Sequence, residues 1–249
     1  MRRLIFLVFF VFSLWSVVYS LSCSLSFAQD AAAHYDRAMS YLQNDRPDDA
    51  LNELKIATEK DPNFAQAHCG LGFVYFLRGR INEAAAEYQK ALKIDAKTKG
   101  AHVGLGSIYE IKADLNKAIS EYNKELLIDP ESADAYFGLG MTYGKLQRLD
   151  DAITVLSEAV KIKQDQPRFY AALGSAYIGK GMYDAAIISY NRALDLEPNS
   201  AQIFYALGWA YAAKGSYKEA VANWQRSVEI DPNFKDAQMS LDKFKKLAK

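Results

Sequence analysis

Residues 201–234 read AQIFYALGWAYAAKGSYKEAVANWQRSVEIDPNF, and this stretch decides the fold. Phe204, Leu207, Gly208 and Tyr211 fall at i, i+3, i+4 and i+7, one apolar stripe of a helix. Lys214-Gly215-Ser216 breaks that helix. Ala220, Trp224, Ser227 and Val228 then make a second stripe, which Asp231-Pro232-Asn233 ends. The stretch is therefore expected to fold as two antiparallel helices joined by a tight turn. Gly208 and Ala220 are small because paired helices approach closely only where one side chain is nearly absent. The reading puts the Tyr211 ring in the space beside them, with its hydroxyl at a polar edge.

The same pattern recurs outward from this stretch at a fixed step. Tyr41, Tyr75, Tyr109, Tyr143, Tyr177 and Tyr211 lie 34 residues apart, as do Ala50, Ala84, Ala118, Ala152, Ala186 and Ala220. Gly72, Gly106, Gly140, Gly174 and Gly208, with Ala38 before them, make a third ladder, and Leu71, Leu105, Leu139, Leu173 and Leu207 a fourth. Four ladders in register define repeats at 31–64, 65–98, 99–132, 133–166, 167–200 and 201–234. Pro62, Pro130, Pro198 and Pro232 sit where a new helix is about to begin.

These residues resemble the tetratricopeptide repeat family over residues 31–234. The resemblance implies an all-α, right-handed superhelical solenoid of six hairpins. Residues 235–249 follow as a capping helix with Ala237, Leu241, Phe244 and Leu247 on its apolar face. Departures from the family pattern are local: Arg37 replaces a leucine, Glu125 a small residue, and Ala96 and Gln164 a proline. Pro167 opens the following helix instead. The outer repeats and the junction around Glu125 are expected to be the less stable places.

The N-terminus is different material. Arg2 and Arg3 precede a stretch without charge up to Asp30, ending in the small-x-small site Ser26-Phe27-Ala28. Residues 1–28 read as a signal peptide cut after Ala28, with a retained membrane anchor or a lipid-modified Cys23 as alternatives. Each alternative exports the repeats, to the periplasm or to a membrane-anchored place at the cell envelope. Without Arg2 and Arg3 the rest carries two more acidic than basic side chains, which leaves no surplus to neutralise nucleic-acid phosphates. Cys69 then stands alone, so packing rather than an internal disulfide must hold the fold.

His34, His68 and His102 are the only histidines, but they occupy the fourth position of successive repeats. Packed helices lie about 8–10 Å apart, and a shared zinc needs each ring nitrogen roughly 2 Å away; the three are read as register residues. No nucleophile elbow, zinc-protease helix, Cys-x-x-Cys pair or phosphate-cradling loop is present. The expectation is a binding protein, not an enzyme, with no cofactor or metal.

By the resemblance, the first helices line a concave groove. Its candidate residues are Tyr35, Met39, Phe73, Phe76, Phe137, Met141, Ile178, Tyr205 and Trp209. Met and aromatic side chains there suit an apolar or aromatic-rich segment of a partner protein. The sixth positions, Asp36, Gly70, Gly104, Gly138, Ala172 and Ala206, cannot clamp a terminal carboxylate as some relatives do. The expected function is an envelope scaffold or adaptor. The alternatives are an accessory subunit of an envelope enzyme or secretion complex and, more weakly, glycan binding on Tyr205 and Trp209. A membrane partner enters only if the N-terminal segment is retained, and self-association is left open.

Overall fold

The structure is a computed structural model that describes residues 29–246. The signal or anchor expected over 1–28 and the end of the cap at 247–249 lie outside the described residues. All regular structure among the described residues is helical. None of their helices is long and apolar enough to cross a membrane. The chain divides after Ile108 into two compact units.

In the first unit, α1 (residues 29–43) is followed by α2 (Pro47–Lys60), α3 (Ala65–Leu77), α4 (Ile81–Ile94) and the start of α5 (Ala101–Ile111). Its core is an unbroken cluster of Ala38, Ala50, Leu51, Leu54, Ala67, Leu71 and Val74. The second unit continues through α6 (Leu115–Ile128), α7 (Ala133–Lys145), α8 (Leu149–Ile162), α9 (Pro167–Gly179) and α10 (Tyr183–Leu196). It ends in α11 (Ala201–Lys214), α12 (Tyr217–Ile230) and α13 (Lys235–Phe244). There α7 pairs with α8, α9 with α10 and α11 with α12, while α8 packs on α9, α10 on α11 and α12 on α13. The last helix buries Ala237, Ser240 and Leu241 and leaves Lys235 and Lys243 exposed.

Each hairpin turn needs a left-handed residue just past the first helix. Gly79, Gly181 and Gly215 supply it with φ between 69° and 89°, but Asp45, Ala113 and Gln147 adopt it at 53°, 59° and 58°. Ala113 has no side chain to bond its own backbone, so it bears a steric cost of about 1–2 kcal/mol there. The turns after the second helices are held by aspartate. The backbone N–H groups of Asn63, Lys97 and Asn233 donate to the Oδ1 atoms of Asp61, Asp95 and Asp231, each at 2.9 Å. The turn at Ala96 therefore forms without its proline, helped by the Thr98 hydroxyl donating to the Asp95 carbonyl at 2.7 Å. Pro167 stands in the first turn of α9, where its missing N–H is not needed.

The glycine ladder is filled differently from the reading of the sequence. The side chain that occupies its space is on the second helix, 16 residues on: Tyr88 at Gly72, Leu156 at Gly140, Tyr190 at Gly174 and Trp224 at Gly208, in a row that Leu54 and Tyr122 share by sequence. A methyl group at Gly72 would lie 2.8 Å from the Tyr88 ring, at Gly140 2.4 Å from Leu156, and at Gly208 2.5 Å from the Trp224 indole nitrogen. Glycines two residues earlier do the same for the preceding repeat: Gly104 would collide with Tyr88 at 2.2 Å and Gly138 with Tyr122 at 2.3 Å. One bulky side chain is thus seated between two successive first helices, which is why the sixth positions are so small.

The ladder tyrosines are only half-buried and serve another purpose. Arg46, Arg80 and Arg148 lie over Tyr41, Tyr75 and Tyr143 at 4.4 to 4.6 Å from the ring centres. Each arginine also bonds the acid three residues on, Asp49, Glu83 or Asp151. A guanidinium on an aromatic face with a carboxylate at its edge fixes the start of the second helix.

Candidate functional site

The first helices carry the candidate groove residues, and the structure sorts them by position. At the ninth position of their repeats, Phe73 is 44% exposed, Met141 39% and Trp209 37%. Neighbouring side chains cover the fifth position. Tyr35 packs on Phe64 at 5.2 Å between ring centres, Phe137 stacks on Phe169 at 5.0 Å, and Tyr205 tilts on Phe234 at 5.0 Å. Phe137 and Tyr205, expected to line a groove, are thus half-buried against the rings they pack on, as Tyr35 is. The partner ring lies 29 residues on for Tyr35 and Tyr205 and 32 for Phe137, a pairing visible in the sequence once the hairpin geometry is known. Phe76 is half-buried on α3, and Ile178 is drawn into the Ala186–Tyr190–Leu207 core cluster.

Among the described residues each unit has an open cleft on this side. The cleft of the first unit, about 290 Å³, is lined by Tyr35, Met39, Phe73 and Tyr88, together with Gln66, Cys69 and Lys99. Three expected groove residues thus come together there. The Cys69 thiol donates to the Lys99 carbonyl at 3.6 Å. Burial pushes the Tyr88 phenol well above the ordinary tyrosine range, and the nearby Cys69 adds to the shift. Burial raises Tyr35 in the same direction. Both tyrosines therefore stay neutral donors at physiological pH. The second cleft, about 360 Å³, is bordered by Met141, Lys145, Leu149, Leu156 and Ser175.

At the C-terminal end, Trp209 meets Trp224 at 5.3 Å and Phe244 at 5.8 Å, both edge-on, and Tyr205 meets Trp209 at 6.4 Å. Phe244 also stacks on Tyr217 at 5.8 Å. The rings proposed as glycan platforms are thus engaged by α13 and by one another. The histidines tie hairpins together: His34 bonds Glu53 and His68 bonds Glu87, each at 2.6 Å through Nδ1, and His68 also reaches the Pro62 carbonyl at 3.2 Å. The hydrogen bond from His34 holds the Glu53 carboxyl below the usual range.

Helical hairpins in series, with apolar clefts on their first-helix faces, define a repeat scaffold of the protein-interaction class. Models described as tetratricopeptide repeat or TPR repeat match residues 35–100, 112–176, 174–215 and 201–234. The chain belongs to the tetratricopeptide repeat family. No curated protein matches the sequence significantly. Among solved structures, the APC/C hetero-tetramer Cut9–Hcn1 is similar with a TM-score of 0.79 and 21% identity, over 86% of this chain. This chain spans only 42% of that one. YrrB, described as a TPR protein with an unusual peptide-binding site, has a TM-score of 0.60 and 24% identity, over 75% of this chain and 96% of its own. PilW, described as a type IV pilus biogenesis factor, has 0.75 and 16%, over 85% and 98%. At these identities the likeness is one of fold.

Proposed function

We propose that this protein is an adaptor of the bacterial envelope that takes an apolar segment of a partner protein onto its first-helix faces. The observation that carries the reading is the ninth position. Phe73 and Met141 stand exposed on the borders of open clefts, where a surface serving solubility alone would be polar. Apolar walls with a few polar groups are what a protein offers to a bound segment. YrrB, of the same fold, carries a peptide-binding site, which supports the reading by analogy.

Replacing Phe73 and Met141 together by serine is expected to leave the helical circular-dichroism signal near wild type. Affinity for the partner should fall by about 1–3 kcal/mol or more, as for truncated interface anchors. A photo-crosslinker at Phe73 identifies that partner in native cells, and the exposed Lys90 on α4 serves as the control site. Equal crosslinking from both sites, or undiminished binding by a folded double variant, defeats the proposal.

The envelope setting rests on residues 1–28 alone, whose basic start, apolar run and Ser26-Phe27-Ala28 match an export signal. Protein taken from its native host should begin at Gln29 on N-terminal sequencing. Recovery of the chain with Met1 in the membrane fraction points to the retained anchor.

A further inference from the structure

His68 is 1% exposed, and each of its two ring nitrogens faces an oxygen. Nδ1 lies 2.6 Å from Oε2 of Glu87 on α4, and Nε2 lies 3.2 Å from the Pro62 carbonyl in the turn before α3. A carbonyl oxygen only accepts, so Nε2 must carry a hydrogen. A neutral imidazole then has no second N–H, and its bare Nδ1 would confront a carboxylate. The other tautomer turns a bare Nε2 on the carbonyl instead. Both contacts close only when the pair holds one more proton. Imidazole is the stronger base of the two, and Glu87 keeps 23% of its side chain in water, so the proton sits on the ring.

The preceding repeat shows why the ring must supply this charge. There the equivalent acid, Glu53, receives Arg37 at 3.0 Å as well as His34 at 2.6 Å. In the second repeat Leu71 stands where Arg37 does. Among the described residues His68 is therefore the cation that pairs with Glu87. The other titratable groups beside the pair have partners or stay neutral. Asp61, in the same turn as Pro62, accepts from the Asn63 backbone N–H at 2.9 Å. Tyr88, next to Glu87, is a neutral phenol, and the Cys69 thiol, next to His68, donates to the Lys99 carbonyl at 3.6 Å. On α5 the matching place is His102, again 19 residues before an acid, Glu121. Repeats four to six have Tyr136, Tyr170 and Phe204 there, with Val155, Ser189 and Asn223 in place of the acid.

The pair also adjoins the cleft of the first unit. Cys69 follows His68, Tyr88 follows Glu87, and both line that cleft. We propose that His68 and Glu87 form a proton-held clasp, which fastens α3 to α4 and to the turn at Pro62 in mild acid and loosens them, and the cleft with them, as the pH rises. The consequence for a bound segment rests on the adaptor reading, whereas the clasp belongs to the fold.

The folded pair binds one proton that an unfolded chain releases above about pH 6.5. Its contribution to stability is whole below that value and declines as the pH rises, until the fold itself gives up the proton. One proton is worth up to about tenfold in the folding equilibrium per pH unit.

The test compares the full chain with Glu87→Gln. A glutamine amide donates to Nδ1 while the Nε2 hydrogen still meets Pro62, so a neutral His68 is satisfied and the extra proton is not needed. Denaturation curves at about pH 6, 7 and 8 should show wild type losing ground to the variant, by several-fold to tenfold in the folding equilibrium for each unit. A second readout needs no stable variant of Glu87. In NMR spectra of the wild-type chain labelled with 15N-histidine, both ring nitrogens of His68 should read as protonated at about pH 7. The signal is assigned by its absence from His68→Gln. The proposal is overturned if the gap between wild type and Glu87→Gln stays constant with pH, or if either ring nitrogen of His68 reads as bare. The adaptor reading fails separately: the Phe73→Ser, Met141→Ser variant would then keep its partner, with both of these readouts unchanged.

Discussion

Trp224→Ala is expected to destabilise the protein by about 3–5 kcal/mol, the range for truncating a buried large aromatic. Trp224 is fully buried, and its ring meets Trp209 at 5.3 Å and Phe244 at 5.0 Å. Its indole N–H donates to the Tyr205 carbonyl at 3.1 Å. Alanine removes the ring that α11 and α13 both pack against and leaves a void that two helices cannot close. The thermal melt followed by circular dichroism should move down by on the order of 10 °C. Stability in a stacked array is a sum of neighbour terms, so amide exchange should accelerate first in α11, α12 and α13. Trp224→Tyr should cost much less, because tyrosine fills the equivalent place at Tyr88, Tyr122 and Tyr190. A melt unchanged by Trp224→Ala would mean that the C-terminal ring cluster does not hold the last hairpin.

Gly140→Leu is expected to cost about 1–3 kcal/mol or more by overpacking. Even the first carbon would lie 2.4 Å from Cγ of Leu156, which is 1% exposed between α7 and α8. Four carbons therefore force the two helices apart rather than displace a flexible tip. The loss should reach the helices packed on the pair, since each repeat is stabilised by its neighbours. The double variant Gly140→Leu, Leu156→Ala exchanges the large side chain across the interface. It should recover part of the stability, giving a coupling energy in a double-mutant cycle. If leucine at 140 melts like wild type, the close approach of α7 to α8 is wrong.

The hairpins were legible because what makes them is local and repeated. A stripe at helical spacing, a breaker and a proline all lie within one stretch of 34 residues, and five further copies remove the ambiguity of any one. The small residues were legible as close approaches too. What faced them was not, because the tyrosine ladder is the most regular feature of the sequence and drew the assignment. Tertiary packing gives that space to the residue 16 positions after Gly72, Gly140, Gly174 and Gly208, and leaves Tyr41, Tyr75 and Tyr143 to arginines.

The candidate groove shows the same division. A single repeat says which first-helix residues are off the hairpin stripe, and by that measure Phe137 and Phe73 are alike. Only stacking separates them: Phe169 covers Phe137, whereas Phe73 is left 44% exposed. Tyr88 reads as one of four equivalent buried aromatics until Phe73 and Phe76 are set beside Ser175 and Glu110, which bond the hydroxyls of Tyr190 and Tyr122. The chain alone therefore determined the number, order and kind of its helices, since backbone propensity and apolar periodicity act over a few turns. Which apolar groups were buried and which polar groups found one another was decided only when successive hairpins met, because burial and hydrogen bonding depend on side chains that the fold brings in from elsewhere.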